Sequence, residues 1–94
     1  MITIDAGNVL LKPSHRKQVM SWLKRAIRLG QRLGDFALTL SLHRSGKFYE
    51  AQARVHDSAG DFDVRFRQHD WRHAVRNLIR ALSLKLSMQR LAVN

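Results

Sequence analysis

The chain has 94 residues, 45% of them hydrophobic, with one Pro, five Gly and no Cys. That composition describes one globular unit without a disulfide framework or a thiolate zinc site. Seventeen Lys and Arg stand against seven Asp and Glu, a formal net charge of +10 and a pI near 11.6. Self-repulsion of that size favours a polyanionic partner.

A single domain over residues 1–94 is expected, large enough to bury roughly 60 to 70% of its unfolded surface. Met1-Ile-Thr-Ile-Asp5 lacks a basic flank leading into a long apolar run, and no stretch approaches the roughly 20 apolar residues that a spanning helix needs. A cytoplasmic protein with no membrane partner is therefore expected.

Ile2 to Asp5 reads as a short first strand, broken by Ala6-Gly7-Asn8. Pro13 with Ser14 as a cap predicts a helix start, and Val19, Met20, Leu23, Ala26, Ile27 and Leu33 make its apolar stripe before Gly34 closes it. Three segments of period two follow. Phe36, Leu38, Leu40 and Leu42 mark one face of the first, Arg44-Ser-Gly-Lys47 turns it, and Tyr49, Ala51, Ala53 and Val55 mark the second. Asp57 to Asp61 supplies a hairpin loop, and Phe62, Val64 and Phe66 mark the third. Asp70 is placed to cap a last helix with the stripe Trp71, Ala74, Val75, Leu78, Ile79, Leu82 and Leu86.

The order β-α-β-β-β-α predicts an α+β fold: a four-stranded mixed sheet, its first pair parallel, with both helices on one face and the other face in water. That arrangement is double-stranded RNA-binding-domain-like.

The charge is divided unevenly among the elements. Residues 13–34 carry Arg16, Lys17, Lys24, Arg25, Arg28 and Arg32 and no acid, while residues 70–94 carry Arg72, Arg76, Arg80, Lys85 and Arg90 against Asp70. The remaining bases and acids cancel, so the whole excess belongs to the helices. Lys17, Lys24, Arg25, Arg28 and Arg32 project opposite the first apolar stripe, and Arg72, Arg76 and Arg80 form a second ridge at four-residue spacing. Like charges four apart repel, and the planar guanidinium fork suits phosphate oxygens. A solvated charged face is the plain alternative, but a 22-residue segment without acids argues for a nucleic-acid surface.

The segment Gln68-His-Asp70-Trp-Arg-His-Ala74-Val75-Arg-Asn-Leu78-Ile79-Arg-Ala-Leu82-Ser-Leu-Lys-Leu86, the strand Tyr49-Glu-Ala-Gln-Ala-Arg-Val55 and Gly7-Asn8 resemble the ribosome hibernation promoting factor and ribosome-associated inhibitor A family, short form. Arg72 stands where that family carries an aromatic residue, and Ser87-Met-Gln-Arg90 where it is Lys-rich. The resemblance implies a translation-inhibiting factor of the stress response. Its partners would be the small ribosomal subunit and its rRNA; the charge distribution makes Lys17, Lys24, Arg25, Arg28, Arg32, Arg72, Arg76 and Arg80 the expected rRNA-binding set. No cofactor and no small-molecule substrate are expected, and a monomer is expected. A non-ribosomal double-stranded RNA-binding module and a basic adaptor for an acidic protein are the competing readings.

No catalytic residues and no metal ligands are expected. His69 and His73 have the four-residue spacing of zinc ligands but no third ligand, and Asp57, Asp61 and Asp63 lack a calcium loop's spacing. Ser14, His15 and Asp5 are not a nucleophile set, since capping accounts for Ser14. Leu84, Met88 and Leu91 form a minor outward apolar strip on the last helix.

Overall fold

The computed structural model describes residues 1–32, 34–57 and 60–93, with side chains described through residue 88. The expectations for Leu33, for the middle of the Asp57 to Asp61 loop, and for the side chains of Arg90 and Leu91 lie outside the described residues.

The elements are β1 (Ile2–Asp5), α1 (Pro13–Gln31), β2 (Phe36–Ser45), β3 (Phe48–Asp57), β4 (Gly60–Gln68) and α2 (Trp71–Val93). They form one four-stranded sheet in the order β1-β2-β3-β4, with β1 parallel to β2 and the other pairs antiparallel. This is the α+β arrangement that the alternating pattern predicts.

Register aligns the apolar rows. Leu38 faces Val55, which faces Phe62; Leu40, Ala53 and Val64 form the next row, and Leu42, Ala51 and Phe66 the third. Ile2 and Ile4 of β1 extend the first two rows through Leu38 and Leu40. Because side chains alternate across a strand, these rows share one face. That face meets Val19, Leu23 and Ala26 of α1 and Ala74, Val75, Leu78, Leu82 and Leu86 of α2 in a single core. The small residues Ala51 and Ala53 at the centre of the sheet leave room for the Leu side chains of the helices, so the two layers interdigitate. α2 packs on β3 and β4 and runs beside α1.

Two helix-start expectations meet different outcomes. Asp70 caps α2 as expected, its Oδ1 accepting the Arg72 backbone N–H at 3.2 Å. Ser14 does not cap α1. The cap position is Lys12, Pro13 occupies the first helical position, and the Lys12 N–H donates to His15 Nδ1 at 3.4 Å. Pro has no N–H to satisfy and its fixed φ suits that position, so it draws the boundary one residue ahead of itself and leaves Ser14 inside the first turn. At the other end Arg32 is the cap and Gly34 follows it with φ +103, its N–H donating to the Gln31 carbonyl at 3.3 Å.

The connection from β1 is tied to the far end of β2. Asn8 Nδ2 donates to the Arg44 carbonyl at 2.9 Å, and its Oδ1 accepts the Arg44 N–H at 2.7 Å. Gly7 has φ +56, and a Cβ there would overlap the Leu42 carbonyl oxygen, so only glycine lets the chain pass this close to β2.

Candidate nucleic-acid interface

The outer face of the sheet carries charges of both signs side by side. Arg54 lies opposite Asp63 and Glu50 opposite Arg67 in the β3–β4 register. Asp63 is also 3.5 Å from Arg65 Nε and accepts from Gln52 Nε2 at 3.3 Å. His56 Nδ1 and the Asp61 carboxylate form a hydrogen-bonded ion pair, and this bond, followed by the charge of Asp61, raises the His56 pKa above its ordinary value. Phe48 on this face is covered by the Arg67 guanidinium at 4.5 Å and the His69 ring at 4.5 Å.

The helical layer is the opposite. Lys17, Lys24, Arg25 and Arg28 are exposed on α1 and Arg32 at its C-cap, and Arg72, Arg76 and Arg80 are exposed on α2. Among the described residues no ion pair engages any of these eight; the pairs present are His56 with Asp61, Arg65 with Asp63, and His73 with Asp70. Among the described residues no acid pairs with them, which leaves a strongly positive surface on one side of a nearly neutral sheet.

The eight bases do not form one cluster. Arg25, Arg76 and Arg80 converge on the furrow between the helices, where they share walls with Trp22 and Ile79. The Arg76 guanidinium lies over the Trp22 ring, 5.4 Å from its centroid, and that of Arg72 lies 4.9 Å from the Trp71 centroid. Lys17 and Lys24 belong to the far side of α1, where with Arg16 they border a shallow depression floored by Met20 and Ile27. Arg28 and Arg32 continue the exposed back of α1 without a described contact to the furrow. The half-buried Trp22 ring packs at the edge of the core and also floors the inter-helix furrow.

The sets weighed for chemistry are engaged elsewhere. Asp5 Oδ1 accepts the Gly7 N–H at 3.0 Å, and His15 packs its ring 5.2 Å from that of Trp71. His69 stacks on Phe48, whereas His73 Nδ1 sits 3.2 Å from Asp70 Oδ2, so these two histidines four residues apart serve different neighbours. Among the described residues no group of three or more His, Cys, Asp or Glu side chains is placed to hold a metal ion, and no helix is long and apolar enough to cross a membrane.

The fold recurs in known structures. The chain superposes on the N-terminal domain of Protein Y from Thermus thermophilus with a TM-score of 0.75 and 20% identity, over 89% of this chain and 91% of that one. It superposes on a ribosomal subunit interface protein from Coxiella burnetii with a TM-score of 0.77 and 16% identity, over 96% and 97% of the two chains. No protein-family model matches the sequence, and no curated protein sequence matches it significantly. The likeness is therefore one of fold, spread over nearly the full length of both neighbours.

Proposed function

We propose that this chain is a ribosome-associated factor that binds the small subunit by setting its basic helical layer against rRNA phosphates, and that it restrains translation there without performing chemistry. The observation that carries this reading is the set of eight exposed bases, with no ion pair among the described residues, on the helical side of a charge-balanced sheet. A surface kept only for solubility would gain from interspersed acids, which offset self-repulsion. The fold shared with a protein described as a ribosomal subunit interface protein agrees with the same partner. Arg72, Arg76 and Arg80 supply guanidinium forks along one ridge, and Lys17, Lys24, Arg25, Arg28 and Arg32 extend the charge across the back of α1. RNA duplexes are read mostly by shape and phosphate contact, so such a surface needs placed charge rather than base-specific groups.

The test is co-sedimentation with purified small subunits through sucrose gradients at several salt concentrations. Binding should fall steeply with salt, and replacing any one of the eight bases by Ala should flatten the slope by about one counterion. Equal binding at low and moderate salt would overturn the reading. Binding to bare RNA duplexes with no preference for subunits would favour a general double-stranded RNA-binding module instead. Binding only to a protein fraction after nuclease treatment would favour an adaptor.

A further inference from the structure

We infer that the furrow between α1 and α2 seats one unstacked RNA nucleotide, its base against Trp22 and its flanking phosphates against Arg25, Arg76 and Arg80. The inference deepens the ribosome reading and rests on it for the choice of RNA as the polymer.

Two adjoining depressions make up the furrow, of about 340 and 220 Å³, and both are lined by Trp22, Ile79 and Arg80. The floor is apolar. Ile79 is 7% exposed and Trp22 is half-buried, its ring tilted 39° to that of Trp71 with the centroids 6.4 Å apart. The walls are cationic, with Arg25 from α1 and Arg80 from α2 on one depression and Arg76 on the other. Ser83 and Ser87 add hydroxyls along the α2 side.

A ridge that met only phosphates would need no accessible aromatic between its arginines. Trp22 is such an aromatic, lining both depressions with the Arg76 guanidinium over its ring, and every nucleobase has a π-face that can stack on that ring or on the guanidinium plane above it. A duplex cannot use this arrangement, because its bases are already stacked inside the helix and only its backbone reaches the rims. The occupant is therefore a base from a bulge, a loop or a single strand. Hydroxyls at Ser83 and Ser87 can donate or accept, so base preference should be modest.

The test uses the full chain and short RNAs without ribosomes. A hexauridylate carrying one 2-aminopurine reports stacking directly, and a blunt 12-base-pair duplex supplies phosphates without an available base. The single strand should show saturable quenching of the 2-aminopurine, competed by unlabelled single strand far better than by duplex. Trp22→Leu should weaken single-strand binding by roughly tenfold, as expected for loss of one base–aromatic stack, while leaving duplex affinity and the salt slope unchanged. In Trp71→Phe, which leaves Trp22 as the sole indole, single strand and not duplex should quench the protein fluorescence. Equal competition by duplex and single strand, or equal weakening of both by Trp22→Leu, overturns the nucleotide seat while leaving subunit binding standing. Failure to bind any RNA would instead remove the ribosome reading on which the inference rests.

Discussion

The guanidinium of Arg76 and the indole of Trp22 face each other across the seam between α2 and α1, 5.4 Å from guanidinium carbon to ring centroid. The pair joins residues 54 positions apart, and it places one member of the basic ridge on the aromatic ring that lines the furrow.

That geometry gives Arg76 two opposed effects on stability. Its contact with Trp22 contributes about 0.5–1 kcal/mol at an exposed site. Repulsion from Arg72 and Arg80, each four residues away, costs a few tenths of a kcal/mol apiece. The terms nearly cancel, so Arg76→Ala should change stability by less than about 0.5 kcal/mol, the range of ordinary surface substitutions. Subunit binding should nevertheless weaken severalfold, with the salt slope reduced by about one. Thermal melts alongside salt-dependent co-sedimentation check both halves. A fall of more than about 8 °C in the melting temperature would make Arg76 a structural residue first, since 1 kcal/mol moves a domain of this size by about 4–8 °C.

Much of this architecture is legible in the sequence because it is written locally. Phe36, Leu38, Leu40 and Leu42 declare a one-faced strand, and Trp71 to Leu86 declare a one-faced helix, by period alone. Asp70 is legible as a cap because its carboxylate reaches only two residues along the chain. The Ser14 expectation fails for a local reason too: a good capping residue followed Pro13, but Pro at the first helical position decides where the helix begins. The convergence of Arg25, Arg76 and Arg80 on Trp22 is a different matter. Helical phase places each base on a side of its own helix, but the rotation of one helix against the other is set by the shared core, through Leu23, Ala26, Leu78 and Leu82. No spacing within either segment carries that information.

Two glycines with nearly equal φ should respond differently to the same substitution. Gly46 has φ +59 and open space where a Cβ would go, so Gly46→Ala incurs only the left-handed backbone cost of roughly 1–2 kcal/mol. Gly7 has φ +56 and the Leu42 carbonyl oxygen in the way, so Gly7→Ala incurs that cost and must also push the connection away from β2. The Asn8 bonds to Arg44 would stretch with it. Gly7→Ala should therefore be the more destabilising by at least about 1 kcal/mol in denaturant titrations. Equal midpoints for the two variants would show that the connection yields freely.

The raised pKa of His56 has a defined consequence for pH. Its bond to Asp61 favours the imidazolium in the folded chain, so the contribution is present in full below the unfolded histidine pKa and is lost as pH rises through the folded value. Both side chains are 74% exposed, so solvent screening keeps the effect on stability small. The direct readout is the His56 ring proton shift followed by NMR across pH. It should titrate above the ordinary histidine range in the native sequence and move down in Asp61→Asn; a midpoint unmoved by that change would show that the pair does not persist in solution.

Asp70 is the one acid in the two helical segments, which makes it the point where stability and charge can be separated. Its Oδ1 accepts the Arg72 N–H at 3.2 Å and its Oδ2 lies 3.2 Å from His73 Nδ1. Asp70→Ala removes the cap, and a lost cap costs about 1 kcal/mol, or about 4–8 °C for a domain of this size. Asp70→Asn keeps an oxygen that can accept the same N–H, since Asn caps about as well as Asp, so its melting temperature should stay close to the native one. Both variants raise the net positive charge by one. If the helical layer meets phosphate through its summed field, neither should bind subunits more weakly at a temperature where both are folded, and both should gain slightly at low salt. Loss of binding by a well-folded Asp70→Asn would assign this carboxylate a contact of its own, which a surface working through positive charge alone does not require.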